Sequence, residues 1–288
     1  MTPPLVLAAP LSLTGRYAAQ GRLAAAGLAS VVEDIRSLGG VLVGEERREP
    51  RLLILDDRST RAGVTGTLDA MGQTDLLIGP YGSDLVAEAA GWAASRGRVL
   101  WNHGGNADDV QRLPGLISIG SPASSYLGPV LEALTELLQG ARVMVAAGRG
   151  GFGRSAARGA REAAERLGVR IVGMVAHREV PEAPDADILL GAGSFADDLA
   201  LVPRLQVRPP AVAAVAAGMS AFGAELGRLA DGCWHLRSGR SECASASTSD
   251  PGRRRSFEAS GRPSSGRSGR GWGGATLTTR PPKPMPRG

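Results

Sequence analysis

The sequence predicts an α/β protein made of two successive units, each a parallel sheet flanked by helices. Three observations carry this. Short apolar runs of strand length alternate with longer stretches of helical periodicity, the pattern of βα repeats around a parallel sheet. The pattern restarts near Tyr126 after a first complete run. The chain, at 288 residues, is long enough for two domains that each bury a core.

In chain order, residues 5–9 read as a strand and 20–38 as a helix rich in Ala and Leu. Residues 51–55 form a second strand that ends in the acidic pair Asp56-Asp57. A helix at 60–73, a strand at 76–78 and a helix at 83–96 follow, the last with Ser83 at its N-cap. Strands at 99–101 and 116–119 complete the first lobe, residues 1–121. In the second lobe, residues 122–234, helices are expected at 129–139, 155–167, 196–205 and 221–230. Its strands are expected at 143–147, 170–175, 187–190 and 211–216. The second lobe is read as incomplete. In open α/β sheets a ligand sits beyond the carboxyl ends of the strands, and two such units imply a cleft between two lobes.

From His235 to Gly288 the alternation ends. The segment has no Val and no Ile, and Ser, Gly, Arg and Pro dominate. Such a composition buries too little surface to offset chain entropy, so it is expected to be disordered. It reads as a solvated tail or linker, as a basic interaction tail, or as an out-of-frame translation of a GC-rich gene. The third reading accounts for the abrupt stop after a well-formed helix, and for a chain whose one lysine is Lys283.

Charge follows the same division. The tail holds 11 Arg and Lys against 3 Asp and Glu, so the net +5 of the whole chain leaves the body mildly acidic. Nucleic-acid binding by the body therefore has no support. No run of 18 apolar residues suggests an integral membrane segment. The first ten residues lack the basic start, apolar stretch and small-residue cleavage site of an export signal. Two cysteines, Cys233 and Cys243, and three scattered histidines, His103, His177 and His235, give neither a disulfide framework nor a metal cluster. No metal and no cofactor is expected.

Several short segments, in order, resemble a known family. Ala9-Pro10-Leu11-Ser12-Leu13-Thr14-Gly15-Arg16-Tyr17 with Gln20-Gly21 is similar to the turn that closes the first strand of type I periplasmic binding proteins. Gly39-Gly40-Val41, Leu53-Ile54-Leu55-Asp56-Asp57, Ile78-Gly79-Pro80-Tyr81-Gly82-Ser83, Gly151-Phe152-Gly153 and the run from Gly227 to Gly232 follow at matching positions. The resemblance spans residues 4–234 and is nearest to the leucine/isoleucine/valine-binding group. It implies a two-lobed type I fold and a hinged clamp that captures a small solute, an amino acid or related metabolite, for an ABC-type importer. The implied partners are that solute and, if the protein is exported, the transporter permease. The family implies a periplasmic or cell-surface location; read as it stands, without an export signal, the chain would be cytoplasmic. A cytosolic ligand-sensing regulator of the same fold is the alternative.

A carboxylate is best held by a hydroxyl and free N–H groups at a helix start. Tyr81-Gly82-Ser83 offers these, and in the family the hydroxyl residue here contacts the ligand carboxylate; otherwise Ser83 simply caps its helix. The family has a small-residue and Thr turn where this chain has Asn102, His103, Gly104, Gly105 and Asn106, so the close backbone approach is kept and the polar groups differ. His103 reads equally as a loop histidine bonded to a carbonyl. Tyr17, Tyr81, Phe152 and Phe195 all follow strands, where they either close over an apolar part of the ligand or pack beneath their own loops. The family's second-lobe acid for an ammonium has no counterpart in Ala216-Ala217-Gly218-Met219. An enzymatic reading rests on Gly148 to Gly153, which satisfies G-x-G-x-x-G between a strand and a helix. No acid ends the next strand to hold a ribose, so a dinucleotide enzyme is the lesser alternative, and the chain is expected not to be an enzyme.

Overall fold

The computed structural model describes residues 2–237 and 276–278. The chain divides into two compact units, Met1–Ala123 with Gly150–Ser155, and Ser124–Arg149 with Ala156–Gly288. Both are α/β, with parallel sheets flanked by helices.

The first unit opens with β1 (Leu5–Leu11) and α1 (Ala18–Ser37). A short hairpin, β2 (Val41–Val43) and β3 (Glu46–Arg48), precedes β4 (Pro50–Asp56) and α2 (Arg61–Ala70). Then come β5 (Leu76–Ile78), α3 (Ser83–Ala94), β6 (Leu100–Asn102) and β7 (Leu116–Ser118). The sheet order is β4-β1-β5-β6-β7, all parallel. Chain order thus reverses between β1 and β5, the switch point where the loops after two adjacent strands part. The hairpin is absent from the sequence expectation, because its second strand, Glu-Arg-Arg, has no apolar alternation to mark it.

One face of this sheet is closed by α2 and α3. Ala8, Leu77 and Leu100 pack there against Val64, Leu68, Leu85, Ala89 and Ala93, all but buried. The other face carries α1 over β1 and β4. The approach of α1 is set by Gly21: a Cβ there would lie 2.0 Å from the Ser12 carbonyl oxygen, so only glycine lets the helix sit this close. Beneath it Ser12 donates to Asp57 at 2.6 Å, both fully buried. Burial pushes the Asp57 carboxyl up from its ordinary range.

The second unit holds α4 (Gly128–Leu137), β8 (Arg142–Ala147), α5 (Gly151–Leu167, whose first residues count with the first unit) and β9 (Arg170–Ala176). It continues with β10 (Ile188–Ala192), α6 (Phe195–Leu201), β11 (Ala211–Ala214), α7 (Ser220–Leu226), β12 (Cys233–Arg237) and β13 (Thr276–Thr278). The order is β13-β12-β11-β10-β8-β9, parallel except that β13 runs antiparallel to β12. Three expected elements end early in 3₁₀ turns: α6 passes into Val202–Arg204, where Pro203 removes a donor, β11 into Val215–Gly218, and α7 into Gly227–Ala230. Most of the segment expected to be disordered from His235 lies outside the described residues, and only 235–237 and 276–278 of it are described. There β12 runs on to Arg237 and pairs with Thr276–Thr278. The rest of the tail, with Cys243, lies outside the described residues.

One buried ion pair ties the carboxyl edge of this second sheet. His177, just after β9, bonds through Nε2 to Asp198 of α6 at 2.8 Å. The other Asp198 oxygen accepts from the Ala216 N–H, after β11, at 2.9 Å. Asp198 is completely buried. Burial alone would lower the His177 pKa, but the hydrogen bond and charge of Asp198 outweigh it and hold the imidazole above its ordinary value.

Two outcomes follow from this packing. Gly21→Ala should destabilise the protein by about 1–3 kcal/mol, because backbone must move. Gly66→Ala, in α2 with open space around its Cβ position, should stabilise it by about 0.5–1 kcal/mol; urea unfolding of both variants checks the contrast. The raised His177 pKa makes its contribution complete below the ordinary histidine value of about 6.5 and lost as pH climbs through the folded value. Melting temperature should therefore fall from about pH 6 to pH 9, and His177→Gln should flatten that slope.

Candidate functional site

The switch point of the first unit gathers the residues the sequence singles out. After β1 the chain turns through Ser12–Arg16 into α1, with Tyr17 at the N-cap. This turn is held by Asp56: its Oδ1 accepts from the Leu13, Thr14 and Arg58 N–H groups at 2.9–3.1 Å, and its Oδ2 from the Thr14 hydroxyl at 2.7 Å. Burial tends to raise the Asp56 pKa, but these four bonds prevail and keep the carboxyl below its ordinary range. Ser59 adds a second clamp, accepting from the Tyr17 N–H at 3.0 Å and donating to the Thr14 carbonyl at 2.8 Å.

After β5, Tyr81 bridges to Gly104, and the Gly82 N–H donates to the Gly104 carbonyl at 3.1 Å. Gly82, not Ser83, is the N-cap of α3, which corrects the sequence expectation. Its φ of +101° suits glycine, and a Cβ there would strike the Tyr17 ring at 2.6 Å. Ser83 is the first helical residue, and its hydroxyl accepts from the Ala107 N–H at 3.0 Å. Among the described residues nothing takes the Ser83 proton, which leaves it to donate. In this first turn the Leu85 and Val86 N–H groups donate to the Gly82 carbonyl at 3.1 and 2.9 Å, which leaves those of Ser83 and Asp84 without an intrahelical acceptor.

Tyr17 and Tyr81 meet edge to face with ring centroids 5.5 Å apart. The Tyr17 hydroxyl donates to Asp84 at 3.1 Å, and burial together with the Asp84 charge pushes its pKa up to about 12. Arg16 pairs with the same Asp84 carboxylate and lies 4.6 Å over the Tyr17 ring. Neither Arg16 nor Asp84 was singled out from sequence. They are 68 residues apart, and only the Tyr17–Gly82 approach makes them neighbours.

The loop after β6 divides into backbone support and one unspent ring. Asn102 is fully buried, and its amide is consumed locally. Oδ1 accepts from the Gly104 and Gly105 N–H groups at 3.2 and 2.7 Å, while Nδ2 donates to the Gly105 carbonyl and Ser118 hydroxyl at 2.8 and 2.9 Å. It shapes the loop and has no remaining capacity for a ligand. Gly104 and Gly105 press on Tyr81 and Val86, where Cβ atoms would come within 2.8 and 2.6 Å. Asn106 takes a hydrogen bond from Gln111 at 3.1 Å and its carbonyl one from the Ala123 N–H at 2.7 Å, again within the fold. Burial lowers the His103 pKa, partly offset by a hydrogen bond to the Gly79 backbone, and its Nε2 is buried without a partner among the described residues.

The remaining aromatic candidates separate from this cluster. Phe152 belongs to the first turn of α5, in the stretch counted with the first unit, near which the Asp108 N–H donates to Ser155 at 3.2 Å. Phe195 packs against the second unit's core. The Gly148 to Gly153 loop stands beside a carboxylate: Asp197 Oδ2 is 3.3 Å from where a Gly148 Cβ would be. A negative charge there opposes a pyrophosphate. An acid does reach the end of β11, where sequence reading found none, since Asp198 accepts from Ala216; it is spent on His177. Among the described residues no group of acids, histidines and cysteines could hold a metal ion, and no helix is long and apolar enough to cross a membrane.

Comparison with curated protein sequences gives no match. Among solved structures, the chain is similar to LivJ, a branched-chain amino acid transporter substrate-binding protein from Streptococcus pneumoniae in complex with isoleucine. Identity is 15%, with 81% of this chain and 70% of that one covered, at a TM-score of 0.69. A leucine-, isoleucine-, valine-, threonine- and alanine-binding protein from Brucella ovis matches at 14% identity, 81% and 65% coverage and a TM-score of 0.70. A solute-binding protein of an ABC transporter from R. palustris, in complex with benzoate, matches at 17%, 84% and 71% coverage and 0.65. These likenesses establish the type I periplasmic binding fold. The family model for periplasmic binding proteins matches residues 4–189, and with that span the chain belongs to the periplasmic binding protein family.

Proposed function

We propose that the protein captures a small carboxylate-bearing solute, an amino acid or related metabolite, as the substrate-binding component of an ABC-type importer. The observation that carries this is the start of α3, where Gly82 opens the backbone and Ser83 keeps a hydroxyl proton to donate, beside the Tyr17–Tyr81 pair. The solute's carboxylate would lie on the Ser83 hydroxyl and the N–H groups of Ser83 and Asp84, where the helix dipole favours an anion. Tyr17 and Tyr81 would cover its apolar part. Gly104 and Gly105 keep the Tyr81 backbone in place, and Asn102 fixes those glycines. Phe152 and His103 remain proposed contacts of lesser weight. Phe195, Asn102 and Asn106 serve the fold in this reading.

Asp84 places a negative charge one residue from the carboxylate seat, and Arg16 neutralises it. The seat is therefore not hostile to an anion. The carboxylates in the names of related proteins, isoleucine and benzoate, have the head group this seat would take. The importer role implies a periplasmic or cell-surface location and a membrane permease as partner.

Calorimetric titration with amino acids, small aliphatic and aromatic carboxylates and their amides is the test. A carboxylate should bind and its amide bind more weakly. Ser83→Ala should cost about 1–3 kcal/mol of binding free energy, the worth of one charge-assisted hydrogen bond, with the melting temperature nearly unchanged. Equal affinity of wild type and variant would remove Ser83 from the site, and binding of NAD(P) alone would overturn the reading.

A further inference from the structure

We propose that the Arg16–Asp84 pair sets the specificity of the Ser83 seat, favouring a carboxylate without an α-ammonium over the matching amino acid. This preference rests on the reading of that seat as a carboxylate site. It follows from which acid flanks the seat and from what already holds that acid.

The first turn of α3 sends two neighbouring side chains to different partners. Ser83 reaches the loop after β6, where its hydroxyl accepts from the Ala107 N–H at 3.0 Å. Asp84 reaches the start of α1, where it accepts from the Tyr17 hydroxyl at 3.1 Å and pairs with Arg16. A carboxylate on the Ser83 and Asp84 N–H groups would thus be flanked by the Ser83 hydroxyl and by the Asp84 carboxylate. In an α-amino acid one carbon separates the ammonium from the carboxylate. The ammonium would then fall within the roughly 4–6 Å over which opposite charges attract strongly. Asp84 is the acid placed to receive it.

Arg16 already occupies that acid. Its guanidinium pairs with Asp84 Oδ2, while the Tyr17 hydroxyl takes Oδ1. The same guanidinium lies 4.6 Å over the Tyr17 ring, a second attraction that holds it there. Tyr17 is itself fixed, bonded through its N–H to Ser59 and set against Gly82. An incoming ammonium must therefore displace Arg16 from the carboxylate and from the ring together. A carboxylate that has no ammonium displaces nothing. The apolar part of either ligand meets the same Tyr17–Tyr81 pair, so the difference between them is one of charge alone.

The Arg16 side chain can be cut back without loss of the turn, whose backbone is held by Asp56 and Ser59. Calorimetry with matched pairs then tests the proposal: leucine against 4-methylpentanoate, and phenylalanine against 3-phenylpropanoate. The wild type should prefer the member without the amine. Arg16→Ala and Arg16→Gln free Asp84 and should shift the ratio toward the amino acid by about three- to ten-fold, the worth of an exposed ion pair with its ring contact. Asp84→Asn should shift the ratio the other way, and added to Arg16→Ala it should erase the gain. A wild type that prefers the amino acid, or Arg16 variants that keep the wild-type ratio, would overturn the proposal while Ser83→Ala still weakened both ligands. If neither member of a pair binds, or Ser83→Ala leaves both affinities unchanged, the carboxylate seat itself is refuted and the preference falls with it.

Discussion

The first unit depends on how closely backbone meets backbone at the carboxyl end of β1. Gly21 of α1 rests directly on the Ser12 carbonyl, and Ser12 is bonded to the buried Asp57 that closes β4. Asp57 also accepts from the Ser59 N–H at 2.7 Å, and Ser59 in turn clamps Thr14 and Tyr17. A single chain of short contacts therefore runs from the sheet to the ring of Tyr17. That ring leaves no room for any side chain at residue 82. The shape of the candidate site is thus an outcome of sheet and helix packing, decided before any ligand arrives.

Much of this architecture is legible in the sequence, because the core strands declare themselves. Leu76–Ile78 is read without error, and β1, β4 and β6 differ by a residue or two at their ends. Apolar runs bounded by Gly, Pro and Asp suffice to mark these strands. The β2–β3 hairpin escapes because Glu46–Arg48 is polar and exposed on its first two residues. The early ends of β11 and α7 escape because Ala-rich and Gly-rich runs carry no periodic contrast to mark a 3₁₀ turn.

The site is legible in its residue types and not in its pairings. The motif around Gly82 and Ser83 points to the correct helix start, yet assigns the cap to the wrong residue, since only backbone dihedrals distinguish N-cap from first helical position. Asn102 looks like a ligand group in a Gly-rich loop. Its four hydrogen bonds make it the support of that loop, a distinction that depends on where the amide points. Arg16–Asp84 and His177–Asp198 each join residues far apart in sequence, and no local spacing announces either.

The acids at the two sheets' carboxyl edges have different electrostatic fates, and this bears on ligand chemistry. Asp198 is completely buried, and its two oxygens are bonded to His177 and to a backbone N–H, so it is satisfied internally. Moving it to serve a ligand ammonium would leave His177 and the Ala216 N–H buried without their partner, a cost of about 1–3 kcal/mol for each stranded polar group. Asp84 is one-third exposed and paired with the more exposed Arg16, in a setting where such pairs are worth roughly 0–1 kcal/mol and rearrange cheaply. If an ammonium accompanies the carboxylate, the carboxylate that can be spared for it is Asp84, with Arg16 swinging away. A ligand without an ammonium leaves the Arg16–Asp84 pair intact. Under the proposed function, the seat at Ser83 would take a simple carboxylate with this pair intact, and an amino acid at the small cost of opening one surface ion pair.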